Sequence, residues 1–283
     1  MRNLITGTTG MVGSHLTEFL LEKGEEIIGT RRWRSRMNNC KNFENKIEWV
    51  NMELMDAHSI RNAIEYAKAD VIYHLAAQSY VVDSRDEPAA TIDINTLGTL
   101  HILETIKEMK KRESYDPIIH ICSSSEVYGQ VEKEEVPIKE TNQYRPASPY
   151  AVGKLGADML ARWYYEEYGL KTIRTRMFTH TGPRRGDIFV ESAFAKQIAK
   201  IEKGLQEPIL KVGNLESVRT FADVRDTVQA YYLLTKHCKP GEVYNIGGDR
   251  TMKIGEMLEI LLSFSPSKEK IKIEGHLKAL EEL

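Results

Sequence analysis

Apolar and polar positions along this chain follow two different periods. Short runs rich in branched residues, at 3–6, 26–30, 47–50, 71–75, 118–122 and 172–177, read as strands buried on both faces. Between them, apolar residues recur every three or four positions over 11–23, 57–67, 90–110 and 149–167, which lines them along one helical face. Strand–helix alternation is the mark of βαβ units, so the chain predicts an α/β fold: a Rossmann-type, doubly wound parallel sheet. Ligands of open α/β sheets lie beyond the carboxyl ends of the strands, which makes each strand end a candidate site position. After Met177 the pattern loosens, with helices expected over 189–203, 223–234 and 253–262 and strands over 209–212 and 242–246. A smaller C-terminal lobe is therefore expected.

Composition narrows the picture. With 283 residues and 41% hydrophobic content the chain can bury a full core. Its 39 basic and 41 acidic residues nearly cancel, to a net charge of -2, so neither nucleic acid nor an anionic membrane is an expected partner. Cys40, Cys122 and Cys238 lack the spacing of a disulfide framework or a zinc site, and no other metal site is expected. Met1-Arg2-Asn3 runs straight into the first strand, and no apolar run approaches the roughly 20 residues of a bilayer span, which predicts a soluble cytoplasmic protein.

The chemistry gathers at strand ends. Thr6-Gly7-Thr8-Thr9-Gly10-Met11-Val12-Gly13 follows the first strand and opens a helix, the context in which glycines let backbone approach a pyrophosphate. Gly7, Thr9, Gly10, Met11, Val12 and Gly13 are thus candidate dinucleotide contacts. The second strand ends in Arg31-Arg32-Trp33-Arg34-Ser35-Arg36 and no acid; Arg31 and Arg32 suit the 2′-phosphate of NADP, with NAD the less favoured cofactor. Glu53 and Leu54 follow the third strand, where a carboxylate can accept from an adenine amino group. Leu75, Ala76 and Ala77, with Gln78 and Ser79 after them, are small enough to admit a flat cofactor or sugar, whereas His74 reads as a satisfied core histidine.

Two features suggest catalysis. Tyr150 and Lys154 stand four apart in an expected helix, so the ammonium shares a face with the phenol and favours the phenolate. Upstream, Ser123-Ser124-Ser125-Glu126 closes a strand, with Ser124 placed to hydrogen-bond a substrate oxygen and Glu126 to act as a base. The expected division is a dinucleotide-binding domain over 1–177, to which 217–248 partly return, and a substrate lobe of 178–216 and 249–283.

Through the glycine motif and Tyr150-Ala-Val-Gly-Lys154, the chain resembles the extended short-chain dehydrogenase/reductases. Arg31-Arg32, Leu75 to Ser79, Ser123 to Glu126 and His180-Thr181-Gly182-Pro183-Arg184-Arg185-Gly186-Asp187-Ile188-Phe189-Val190 make it most similar to the GDP-mannose 4,6-dehydratases among them. That resemblance implies a catalytic set of Ser124, Glu126, Tyr150 and Lys154, a GDP-sugar substrate, and an assembly of two or four copies in which the arginine-rich loop reaches a neighbour's cofactor. It implies a lyase that oxidises C4, eliminates water across C5 and C6, and returns the hydride to C6. Gln78, Ser79, Ser124, Thr179, Arg184, Arg185, Val190 and Arg219 are the implied substrate contacts. Thr179 stands where these dehydratases carry asparagine, and Ala193 where they carry lysine. Residues 194–199, Val212-Gly213-Asn214-Leu215-Glu216 and Arg219 also resemble the related GDP-4-keto-6-deoxymannose reductases. A reductase, a 4-epimerase or decarboxylase on another nucleotide-sugar, and a non-catalytic NADP-binding regulator stay open as alternatives.

Overall fold

A computed structural model describes residues 1–275; residues 276–283, the last part of the expected second lobe, lie outside the described residues. The chain forms two compact units. The first comprises Met1–Phe178 and Asp223–Ile246, the second Thr179–Ala222 and the described residues from Gly247 to Gly275.

Seven strands build the sheet of the first unit: β1 (Arg2–Thr6), β2 (Glu26–Arg31), β3 (Glu48–Asn51), β4 (Val71–His74), β5 (Ile118–Ser124), β6 (Lys171–Met177) and β7 (Val243–Ile246). Their order is β7-β6-β5-β4-β1-β2-β3, and every neighbouring pair is parallel. The expected α/β fold is thereby observed. From β1 the chain steps outward to β2 and β3, then crosses to β4 on the other side of β1, so a crevice opens between the carboxyl ends of β1 and β4. β5 extends past its expected end: Ser123 and Ser124 lie in register with Arg176 and Met177, because the long β6 supplies ladder partners. The serine run therefore starts inside the sheet.

Five longer helices join the strands: α1 (Met11–Glu22), α2 (Ala57–Ala67), α3 (Gly98–Glu113), α4 (Pro149–Tyr168) and α5 (Val224–His237). α1 packs with α5, α2 with α3, and α3 with α4, as right-handed crossovers on two faces of a sheet require. Ile60, Ile64, Ile102, Ile106, Ala157 and Ala161 bury their helical faces in one core with Leu4, Ile72 and Ile119. The helix expected over 90–110 is interrupted. It is preceded by short helices at Asp83–Asp86 and Pro88–Ile92, and a π-helical turn over Asp93–Leu97 leads into α3. That wider turn carries Asn95, whose carboxamide accepts from the Gln78 amide (2.9 Å) and donates to the Gln78 carbonyl (3.0 Å).

In the second unit, helices Val190–Glu202 and Ile254–Ser263 bury Phe194, Ile198 and Leu258 with Leu210. Strand Ile209–Val212 pairs in parallel with Lys272–Gly275, and Val218–Thr220 pairs antiparallel with Thr251–Lys253. The last three of these strands were not expected, since segments of three or four residues carry too little periodicity to register.

Candidate functional site

The glycine turn is compressed on two sides. Gly7 has φ +71°, in the left-handed region glycine tolerates, and accepts a hydrogen bond from the Gly10 amide at 3.0 Å. A Cβ on Gly7 would lie 2.9 Å from the Ala76 backbone nitrogen, and one on Gly13 only 2.3 Å from the Gly7 carbonyl oxygen. Side chains at either position would push β1, the β4 loop and α1 apart. Gly10, the N-cap of α1, has no side chain to bond the first-turn amides, which leaves the Met11, Val12 and Gly13 N–H groups and the helix dipole available to an anion. Thr8 ties the two strand ends together: its hydroxyl donates to the Ile5 carbonyl (2.7 Å) and accepts from the Thr30 amide (3.0 Å). The Thr9 carbonyl accepts from Asn39 at 3.0 Å, which draws the loop after β2 toward the turn.

On that loop Arg31 lies over the Trp49 ring at 5.5 Å, while Arg32 and Arg36 are exposed. Glu53, expected at an adenine, has its carboxylate 3.7 Å from Arg34, a half-exposed pair of small energetic value. Leu54 is buried, against Gly98, where a Cβ would come within 3.0 Å of it.

After β4, the Leu75 and Ala76 amides both donate to the Thr6 hydroxyl oxygen at 3.0 Å. With two donors on that oxygen, the Thr6 proton goes to Nδ1 of His74 (2.9 Å), so the ring's own proton sits on Nε2 and is donated to Thr99 (3.0 Å). Burial pushes the pKa of His74 down to about 3 and keeps it neutral. It is a structural group. Ala77 is half-buried and Ser79 exposed. Gln78 uses its carboxamide on its own loop, accepting from the Tyr80 amide (2.7 Å) and donating to the Tyr80 carbonyl (3.0 Å).

α4 starts at Ser148, whose hydroxyl accepts from the Ala151 amide at 3.1 Å, and Pro149 occupies its first turn. Tyr150 is half-buried and Lys154 is one turn further on. Lys154 is 6% exposed; its ammonium donates to the Cys122 carbonyl at 2.6 Å, and burial lowers its pKa. The Ser123 hydroxyl donates to the Lys154 carbonyl at 3.3 Å, a second tie between β5 and α4. Ser124 is buried, its hydroxyl accepting from the Glu126 amide at 3.2 Å, which caps a 3-10 turn over Ser125–Tyr128. Glu126 itself is exposed.

Sequence reasoning missed three supports of this arrangement. Asn95 and Thr96 press on α4 at Gly153 and Gly156, where a Cβ would lie 3.1 Å from the Asn95 Cβ and 2.6 Å from the Thr96 hydroxyl. Cys122 Sγ is 3.3 Å from the buried Tyr231 hydroxyl of α5. The third is ionic: Asp158 accepts from Arg174 (3.0 Å) and Arg176 (2.8 Å), all three being buried. Two arginines at alternate positions of a strand expected in the sheet, Arg174 and Arg176, were the available signal.

The remaining candidates belong to the second unit. The half-buried Thr179 uses its carbonyl on the Ala222 amide at 3.0 Å. Arg184 has φ +72°; Arg185 lies 3.6 Å over the Phe189 ring and 3.2 Å from Glu191. Val190 is exposed at the first residue of its helix. Arg219, paired in its strand with Met252, is exposed and donates to the Val218 carbonyl at 2.9 Å. Among the described residues no group of three or more His, Cys, Asp or Glu could hold a metal ion, and no helix is long and apolar enough to cross a membrane.

The profile of the family described as GDP-mannose 4,6 dehydratase matches residues 4–281. The chain belongs to this family. A GDP-mannose 4,6-dehydratase of Vibrio cholerae serotype O1 is 36% identical over 250 residues, covering 84% of this chain and 65% of that protein, so the chain spans somewhat under two thirds of that relative. A GDP-6-deoxy-D-mannose reductase of Pseudomonas aeruginosa is 38% identical over 192 residues, covering 68% of this chain and 62% of that one. Among solved structures, RMD from Pseudomonas aeruginosa, complexed with NADPH, superposes with a TM-score of 0.78 at 30% identity, covering 97% of this chain and 85% of that chain. Membership of the family accords with the parallel sheet and with the glycine turn at the end of β1.

Proposed function

We infer that this chain carries out the NADP-dependent dehydration of a GDP-hexose, GDP-mannose or a close relative, to the GDP-4-keto-6-deoxy sugar. The observation that carries this reading is the Tyr150–Lys154 pair, with the ammonium buried and bonded to the Cys122 carbonyl beside the strand ends, in a chain of this family. A dinucleotide fits the glycine cradle, since Gly7 and Gly13 leave room only for backbone and the capless start of α1 suits a pyrophosphate. Arg31 and Arg32 would hold the 2′-phosphate of NADP, and the small Ala76 and Ala77 would flank the cofactor. Bound there, the cofactor would supply the acceptor for the hydride leaving C4 of the sugar and the donor for its return at C6.

The residues of the chain supply the proton chemistry. Ser124 hydrogen-bonds the C4 oxygen, and Tyr150, as phenolate, takes its proton. The Lys154 cation one turn away stabilises that phenolate. The resulting ketone acidifies the C5 hydrogen, which Glu126 removes as a proton. Hydroxide at C6 departs as water, taking up the proton from Glu126 directly or through Ser124, and when the hydride returns to C6 the C5 carbon takes the proton held by Tyr150, so each group ends as it began. Thr179, Arg184, Arg185, Val190 and Arg219 are the proposed holders of the nucleotide-sugar, the arginines through its diphosphate.

Incubation with GDP-mannose and no added cofactor tests this reading: a product lighter by one water is expected by mass spectrometry. A second reading, reduction of a 4-keto sugar, is favoured by the 38% identity to the Pseudomonas reductase, and consumption of one NADPH per product would select it. Glu126→Gln should retain bound NADP but lose dehydration; undiminished dehydration in that variant removes Glu126 from the mechanism.

A further inference from the structure

The turn that carries Glu126 is anchored from below by a charge buried in the sheet. Arg176 is 1% exposed and lies in register with Ser123. Its guanidinium donates to Asp158 through Nε (2.8 Å), to the Tyr128 hydroxyl and the Glu140 carbonyl through Nη1 (2.8 Å each), and to the Tyr144 hydroxyl through Nη2 (2.6 Å). Tyr128, fully buried, closes the same 3-10 turn that displays Glu126, and its hydroxyl donates onward to Asn245 of β7 at 2.7 Å. Gly129, immediately after, has φ +61° and stands where a Cβ would be 1.8 Å from the Arg145 carbonyl, so the turn is held closely on both sides. Asp158 is the third member of the series Tyr150, Lys154, Asp158 at intervals of four along α4, hence on one helical face.

Arg176 thus grips two things at once: the helix bearing Tyr150 and Lys154, through Asp158, and the turn bearing Glu126, through Tyr128. We propose that Arg176, acting through Tyr128, is a positioning residue that sets the placement of the Glu126 carboxylate relative to the Tyr150 hydroxyl. An arginine suits this task because its planar fork bonds several partners in fixed directions, and rigid supports under a catalytic group are where a displacement of about 1 Å costs rate rather than binding. The inference rests on the roles proposed above for Glu126 and Tyr150.

Arg176→Lys is the obvious variant and risks misfolding, so Tyr128→Phe, which removes one hydroxyl and keeps the ring, is the decisive one. Wild type is assayed first with GDP-mannose deuterated at C4 or at C5; no dehydration there defeats the proposed function itself. Given turnover, Tyr128→Phe should lower kcat about tenfold with KM within about twofold. Its C5 isotope effect on kcat should be no smaller than that of wild type, and its C4 effect no larger, since abstraction by Glu126 is the step disturbed. A kcat within about twofold of wild type in a folded variant, or a fall in kcat accompanied by a rising C4 isotope effect, overturns the proposal.

Discussion

Lys154 shows how one side chain can be legible in sequence and incompletely understood from it. Its spacing from Tyr150 was readable, but its partner, the Cys122 carbonyl, is a backbone atom 32 positions away that no side-chain pattern announces. Because burial lowers its pKa, the charge that supports the phenolate should be lost below the ordinary lysine value of about 10.4, and the alkaline limb of a kcat/KM profile should fall there. Replacing Tyr150 by Phe should cut kcat by about 10²–10⁴-fold with the fold intact by circular dichroism. Two histidines add a stability prediction. Burial holds His74 and His120 at about 3 in the folded chain, against an ordinary 6.5. The unfolded chain therefore binds protons that the folded one refuses, so their contribution is complete above 6.5 and is lost as pH falls toward 3. Between pH 6.5 and 5, urea unfolding of His120→Gln should show a slope lower than wild type by up to about 1.4 kcal/mol per pH unit.

Among the elements, those with long periodic patterns were legible and those decided by neighbours were not. β1 to α1 could be read because the glycines serve a local turn. By contrast, β5 gained Ser123 and Ser124 from its pairing with β6, and the helix over 90–110 gave way to a π turn where Asn95 reaches the Gln78 backbone. Gly13 tests the element scale: Gly13→Ala would place a methyl 2.3 Å from the Gly7 carbonyl, forcing β1 and α1 apart. A loss of about 1–3 kcal/mol is expected, read as a lower melting temperature, together with weaker NADP binding by titration calorimetry.

Across the whole molecule, the parallel sheet follows from element order, whereas the Asp158 cluster depends on three residues that only the folded sheet and α4 bring together. Asp158→Asn should destabilise the chain by about 3–5 kcal/mol, because it leaves two buried guanidiniums facing a neutral amide; chemical denaturation measures it. The cluster holds two guanidiniums to one carboxylate, and Arg176 spends further donors on the Tyr128 and Tyr144 phenol oxygens and the Glu140 carbonyl. Guanidinium does not surrender its proton at any pH a folded chain meets, and burial raises the Tyr128 phenol above its usual range. Through Arg176 and Tyr128 the Glu126 turn consequently rests on groups that hold their protons into alkali, so the falling limb of a bell-shaped rate profile would record Lys154 and not a loosening of this support.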